Sequence, residues 1–180
     1  LCFNVISILS GTGYVTQEFD KWGNFSLIFF LILMFIGGCA GSTACGIKIF
    51  RVQILLSFIK NQLKKFIYPR GIFKIKYENN NVDEKFLSSI ISFIFLYIVI
   101  FFIITALLST NGLDFVTSLS AAATSISNVG PGLGDIIGPN GNFSQLSDVS
   151  KWILSLAMIL GRLELFVVLV LFIPSFWRKF

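Results

Sequence analysis

An all-α integral membrane fold, built from repeated helix–loop–helix units, is predicted by three observations. The chain is 55% hydrophobic, has a mean hydropathy of +0.84, and only 13% of its residues are charged. A soluble domain carries about a quarter. Apolar runs long enough to cross a bilayer recur along it. A glycine motif also occurs twice, each time after a segment rich in small and hydroxyl residues. Repeats are read first because they decide architecture.

The first copy, Ser10-Gly11-Thr12-Gly13-Tyr14-Val15, precedes Gly23-Asn24-Phe25-Ser26. The second, Ser127-Asn128-Val129-Gly130-Pro131-Gly132, precedes Gly141-Asn142-Phe143-Ser144. In chain order, Leu1 to Ser10 reads as the end of a short helix and Gly11 to Val15 as an extended segment. Phe25 to Ile36 is apolar but too short to cross alone. Gly37 to Gly46 follows, all small residues, and then a second apolar piece, Ile47 to Ile59. This is a span broken in its middle.

The clearest complete span is Phe86 to Leu108, 23 residues without a charge, enough for ~30 Å of hydrocarbon at ~1.5 Å per residue. A second runs from Trp152 to Trp177, two aromatic anchors about 38 Å apart on a helix. Between them, Leu113 to Ser127 covers only about 22 Å as a helix. The next stretch, Asn128 to Asn142, holds five glycines and two prolines. Irregular backbone at membrane depth is tolerated only where it lines a cavity or is buried in protein. The segment therefore reads as a re-entrant helix with a return loop; an external amphipathic segment is the other reading.

The net charge is +5, and nine of the fourteen basic residues lie between Lys48 and Lys85. Beside membrane spans this marks a cytoplasmic loop rather than a nucleic-acid surface. With residues 60–76 inside, the span from Phe86 runs outward. The re-entrant loop then dips in from outside, and the last span ends inside at Arg178 and Lys179. Division follows at 1–66, 67–82 and 83–180: a loop with a broken helix, a basic cytoplasmic connector, and a complete helix–loop–helix unit. The chain has no His and three cysteines, Cys2, Cys39 and Cys45, which argues against a zinc site and for small packed thiols. Enzyme chemistry finds no support. Asp114, Asp135 and Asp148 fall around the outer loops, where they attract cations or cap helices. Lacking an initiator Met, the chain reads as part of something longer.

A short helix aims the negative end of its dipole at the loop beyond its C-terminus. Glycine at Gly13 and Gly130 lets successive carbonyls turn toward one axis. Such carbonyls can replace the hydration shell of a cation. An ordinary glycine turn is the alternative, weakened by the second copy. Gly37 to Gly46 fails as a phosphate loop, because Ile47 separates Gly46 from Lys48. Two readings remain. Gly37 with Gly41, and Ser42 with Gly46, suit close helix packing; equally, so much glycine suits a flexible plug. Arg162 and Glu164 lie in the last span, where charges mark function by default. Two positions apart they face different sides, so each needs another partner. A structural ion pair and a place on an ion path are both open for Arg162.

Three stretches carry a resemblance to a known family. They are Gly37-Gly38-Cys39-Ala40-Gly41-Ser42-Thr43-Ala44 with Gly46-Ile47-Lys48; Asn128-Val129-Gly130-Pro131-Gly132-Leu133-Gly134; and Lys151 to Met158 continuing through Gly161-Arg162-Leu163-Glu164. Over essentially its whole length the chain resembles the Trk/Ktr/HKT superfamily of cation transporters, closest to its TrkH branch. The resemblance implies a potassium-channel-like transporter of four helix–pore-loop–helix repeats, about one and a half of them present here. It implies a potassium filter formed by Gly11, Thr12, Gly13, Tyr14, Asn128, Val129 and Gly130. It implies gating by Gly37, Gly38, Gly41, Ser42 and Gly46, with Arg162 below the filter. Cys45 departs from the glycine expected there. It further implies potassium uptake in a bacterial cytoplasmic (inner) membrane without a cofactor. The implied partners are a second copy in a homodimer and a cytoplasmic, TrkA-like nucleotide-binding subunit. A sodium-permeable relative and a non-conducting remnant are the alternatives.

Overall fold

The computed structural model describes residues 1–180 apart from 40, 43, 70, 72, 74, 78, 79, 164 and 178–180; of 76, 80, 81 and 175 only the backbone is described. Readings that fall on Ala40, Thr43, Arg70, Lys74, Glu164, Arg178 and Lys179 therefore lie outside the described residues.

The longest helix is α4, Glu84–Thr110. Its apolar run has nothing to interrupt it, and Glu84 lies in the first turn, where a negative charge suits the helix dipole. Leu87, Ile90, Phe93, Tyr97, Phe101, Ile104 and Leu108 are buried at three- and four-residue spacing. Phe95, Phe102, Ile103 and Leu107 are exposed on the other faces. At about 40 Å it is, among the described residues, the one helix long and apolar enough to cross a membrane by itself.

Before it come α1, Cys2–Ser10, α2, Asn24–Phe35, and α3, Ile49–Ile67. The span predicted as broken is broken: α2 stops at Phe35, and α3 starts after the small-residue loop. The loop is closed at its neck by Gly37 N donating to Ile47 O and Ile47 N to Phe35 O, both 2.9 Å. α3 continues eight residues beyond the predicted end at Ile59, to Ile67. Lys60, Gln62, Lys64 and Lys65 are good helix formers, and nothing opposes them until Pro69, which disfavours helix in the residue before it. A connector with one two-residue antiparallel pair, β1, Lys76–Tyr77, and β2, Asn80–Asn81, leads into α4.

After α4, Asp114 caps α5, Phe115–Ser127, its Oδ2 accepting from Val116 N at 3.3 Å. α5 is buried from Thr117 to Ser127 with only Leu119 partly open, and it contacts α2, α4 and α6. Its small side chains allow that close approach. The external amphipathic alternative fails on this burial.

The last predicted span is divided. α6 is Asp148–Arg162, α7 is Leu165–Leu171 and α8 is Pro174–Trp177. The axis turns by 108° between α6 and α7. Gly161 is held against α5, since a Cβ there would lie 1.8 Å from Ile126 O. Pro174 lacks the N–H that would continue α7.

The repeated Gly-Asn-Phe-Ser stretches also diverge. Gly23-Asn24-Phe25-Ser26 opens α2 directly, with Gly23 as the cap. Phe143 to Gln145 forms only a single 3-10 turn, and α6 waits for a better cap, Ser147, whose Oγ accepts from Ser150 N.

The core gathers where α2, α4 and α5 meet. Phe35 meets Phe101 and Tyr97 edge-on at ring-centroid distances of 5.0 and 6.1 Å.

Candidate functional site

The two glycine loops begin with the same hydrogen-bond pattern. Gly11 ends α1 in the left-handed region at φ 71, and Asn128 ends α5 there at φ 52. Asn is among the few residues that visit this region readily. Thr12 N donates to Ser7 O, and Val129 N to Thr124 O, each at 3.0 Å. Gly11 therefore matches Asn128, Thr12 matches Val129, and Gly13 matches Gly130.

The loops lie backbone to backbone. A Cβ on Gly13 would sit 2.2 Å from the carbonyl oxygen of Val129, one on Gly11 3.9 Å from that of Asn128, and one on Gly130 3.9 Å from Gly13 Cα. Gly13 and Gly130 hold φ of 74 and 112, where side chains are strained. α1 and α5 both direct the negative ends of their dipoles at these loops. Tyr14 is exposed and does not enter this chain's own core.

Polar side chains brace the loops, and apart from Asn128 sequence reasoning had not singled them out. Asn4 Oδ1 accepts from Thr16 N at 3.2 Å and Thr16 Oγ1 at 2.9 Å. Thr124 Oγ1 accepts from Gly130 N at 2.9 Å. Ser120 Oγ accepts from Leu133 N at 3.0 Å and donates to Leu133 O at 2.9 Å. Tyr97 and Ser127 share a buried hydroxyl contact of 2.8 Å. Asn128 Nδ2 donates to Met158 O at 3.0 Å, tying the second loop to α6. A lone tyrosine in the span from Phe86 to Leu108 was the one legible signal.

Among its described residues, the Gly37–Gly46 segment contains no helix, so the helix-packing reading of its small residues falls. Ser42 Oγ accepts from Ala44 N at 3.3 Å, and a Cβ on Gly38 would lie 2.4 Å from that Oγ. Gly41 and Gly46 hold φ of 87 and 86. Across from the loop, the Arg162 Nη1 of α6 donates to Cys45 Sγ at 3.6 Å. A cavity of about 190 Å³ lies here, bounded by Ser42, Cys45, Arg51, Tyr97, Gly161 and Arg162. The Arg51 guanidinium sits 3.8 Å above the Phe93 ring.

At the opposite end of the loops the two repeats clasp each other. Glu18 pairs with Lys21 and accepts from Asn140 Nδ2. Those two partners hold the Glu18 carboxyl below its usual range, and Glu18 holds Lys21 above its own. Asp135 lines the same recess, Asp114 caps α5, and Asp148 pairs with Lys151 at 3.3 Å.

Comparison with known proteins accords with this geometry. A family model described as TrkH, cation transport protein, matches residues 1–179. The Trk system potassium uptake protein TrkI of Halomonas elongata is 43% identical over 177 residues, 98% of this chain and 36% of that protein. TrkH of Escherichia coli K12 is 34% identical over the same coverage. The crystal structure of the potassium transporter TrkH from Vibrio parahaemolyticus superposes with a TM-score of 0.88 at 34% identity, over 97% of this chain and 37% of that one. The chain thus spans about a third of the length of these relatives. With the helical architecture, the family match and the structural match in agreement, this membrane chain belongs to the TrkH family of cation transport proteins.

Proposed function

We propose that this chain supplies part of the ion path of a potassium uptake protein in the bacterial cytoplasmic membrane. Gly11, Thr12, Gly13 and Tyr14 of one loop, and Asn128, Val129 and Gly130 of the other, contribute carbonyls to a potassium filter. The observation that carries this reading is the contact of Gly13 with the Val129 carbonyl between two loops of matched hydrogen bonding. Glycine is needed there for conformation and for space, as a crowded ring of carbonyls requires.

The Gly37–Gly46 loop, with Gly37, Gly38, Gly41, Ser42 and Gly46, acts as the gate, latched by Arg162 through Cys45. The 3.6 Å contact supports the latch. Residues 1–66 and 83–180 act as parts of two successive repeats, joined by a cytoplasmic connector at 67–82. Potassium is cargo, and no cofactor or enzymatic step enters this reading. A homodimer and a cytoplasmic nucleotide-binding subunit of TrkA type complete the assembly.

Expression of the full natural chain in a cell lacking its own potassium uptake tests this. Growth at low potassium, with potassium influx exceeding sodium influx, is expected. Membrane-inserted protein without influx of either ion would identify a non-conducting remnant, and equal influx a sodium-permeable relative.

A further inference from the structure

We infer, resting on the reading of the second glycine loop as part of the filter, that Tyr97 of α4 is a positioning residue for that loop. Through Ser127 its hydroxyl sets how the end of α5 presents the carbonyls of Asn128 and Val129.

The serines that end α1 and α5 behave differently, although the loops after them begin alike. Ser10 stands one residue before Gly11, as Ser127 stands one before Asn128. Ser10 Oγ donates to Ser7 O at 3.2 Å and meets Thr12 Oγ1 at 3.1 Å; Thr12 Oγ1 in turn donates to Ser7 O at 3.1 Å. The first loop therefore closes on hydroxyls of its own. Val129 stands where the first loop has Thr12, and it offers no hydroxyl. Ser127 Oγ reaches another helix instead and meets the Tyr97 hydroxyl at 2.8 Å. Among the described residues, neither hydroxyl has a second partner.

The support is rigid and dry. Tyr97 lies about 20 Å along α4, near the middle of an unbroken helix. This chain's own helices already close off the pair, Tyr97 at 2% exposure and Ser127 at 3%. A buried hydroxyl without a partner is costly, so each holds the other in place. The next residue is tied from the opposite side, since Asn128 Nδ2 donates to Met158 O of α6 at 3.0 Å. The turn after α5 is thus held between α4 and α6, and the carbonyls that follow can rotate only as far as both ties allow. The Tyr97 ring also touches the neck of the small-residue loop. Phe35, whose carbonyl accepts from Ile47 N to close that neck, stands edge-on to the ring at 6.1 Å. One side chain of α4 therefore supports both the second loop and the neck.

A tyrosine that only filled the core would stabilise the protein without affecting which ion passes. Potassium and sodium uptake by the full natural chain, Y97F, S127A and Y97F/S127A, with G130S alongside, separates the two roles. All are measured at matched expression in a potassium-uptake-deficient cell, and melting temperatures are taken in detergent. Phe keeps the ring and removes only the hydroxyl. One hydrogen bond can bias the loop by no more than it is worth, so the potassium-to-sodium ratio should fall by about fivefold. Y97F and S127A should fall alike, and the double variant no further than either, because the same bond is lost in all three. If Y97F gives no folded protein, S127A carries the same test. An unchanged ratio in Y97F and S127A with a lower melting temperature, while G130S lowers the ratio, would overturn the role and leave Tyr97 a packing residue. Falls that multiply in the double variant would overturn the link between the two hydroxyls. An unchanged ratio in G130S as well would remove the filter reading and this role with it.

Discussion

Gly13 and Gly23 both hold positive φ, and only Gly13 also lacks space for a side chain. A Cβ on Gly23 meets nothing within 4 Å, whereas on Gly13 it meets Val129 O at 2.2 Å and Pro131 Cδ at 3.1 Å. Gly23→Ala should therefore cost only the strain of its backbone angle, about 1–3 kcal/mol. Gly13→Ala should cost that and also push two backbones apart. Thermal melting of both variants in detergent checks this: Gly13→Ala should melt clearly below Gly23→Ala, and equal melting would show that the loops do not touch. The glycines were legible in the sequence because left-handed backbone needs them. The hydroxyl braces were not. Thr124 and Ser120 read as small helix residues, and only tertiary contact reveals that they hold Gly130 and Leu133. Asn4 was hidden in the same way, its partner lying twelve residues away at Thr16.

Among the elements, the small-residue loop is the least committed to either neighbouring helix. Its neck is fixed by Gly37 and Ile47, while a Cβ added to Gly41 within it would meet nothing within 4 Å. Deleting several residues between Gly38 and Gly46 should leave the neck intact and raise potassium conductance at equal membrane expression. Unchanged or lower conductance in flux recordings would show that the loop is not an obstruction. Helix placement followed the apolar runs closely, because length and hydropathy decide where a chain crosses lipid. Breaks were harder. α3 outran its apolar run because charged residues such as Lys60 and Lys64 favour helix once it has begun. The last span divided after Arg162, where the close packing of Gly161 on α5 is invisible in a hydropathy profile.

At the scale of the whole molecule, the two repeats meet at the paired loops, at the Glu18–Asn140 clasp, and where Arg162 of α6 reaches the small-residue loop. The repeat was readable from its doubled motif. The way the copies face each other was not, since no local pattern encodes a contact between residues more than a hundred positions apart. If Arg162 latches the loop and opposes cation entry, Arg162→Ala should speed permeation with modest loss of stability. If it only balances a buried acid, removal should cost roughly 3–5 kcal/mol. Flux and melting temperature measured on Arg162→Ala and Arg162→Lys together separate the two. A collapse in folded yield for both variants, with normal flux per surviving molecule, would leave Arg162 a structural residue.

The central claim, that the paired glycine loops carry potassium on their carbonyls, is tested most directly by Gly130→Ser. The nearest atom to an added Cβ is Gly13 Cα at 3.9 Å, so the side chain fits while φ of 112 strains the backbone. The substitution should thus re-aim carbonyls without unfolding the protein. Potassium and sodium uptake are measured for the full natural chain and this variant at matched expression in a potassium-uptake-deficient cell. A lower potassium-to-sodium ratio is predicted; an unchanged ratio, at whatever total flux, would contradict the assignment of these loops as the filter.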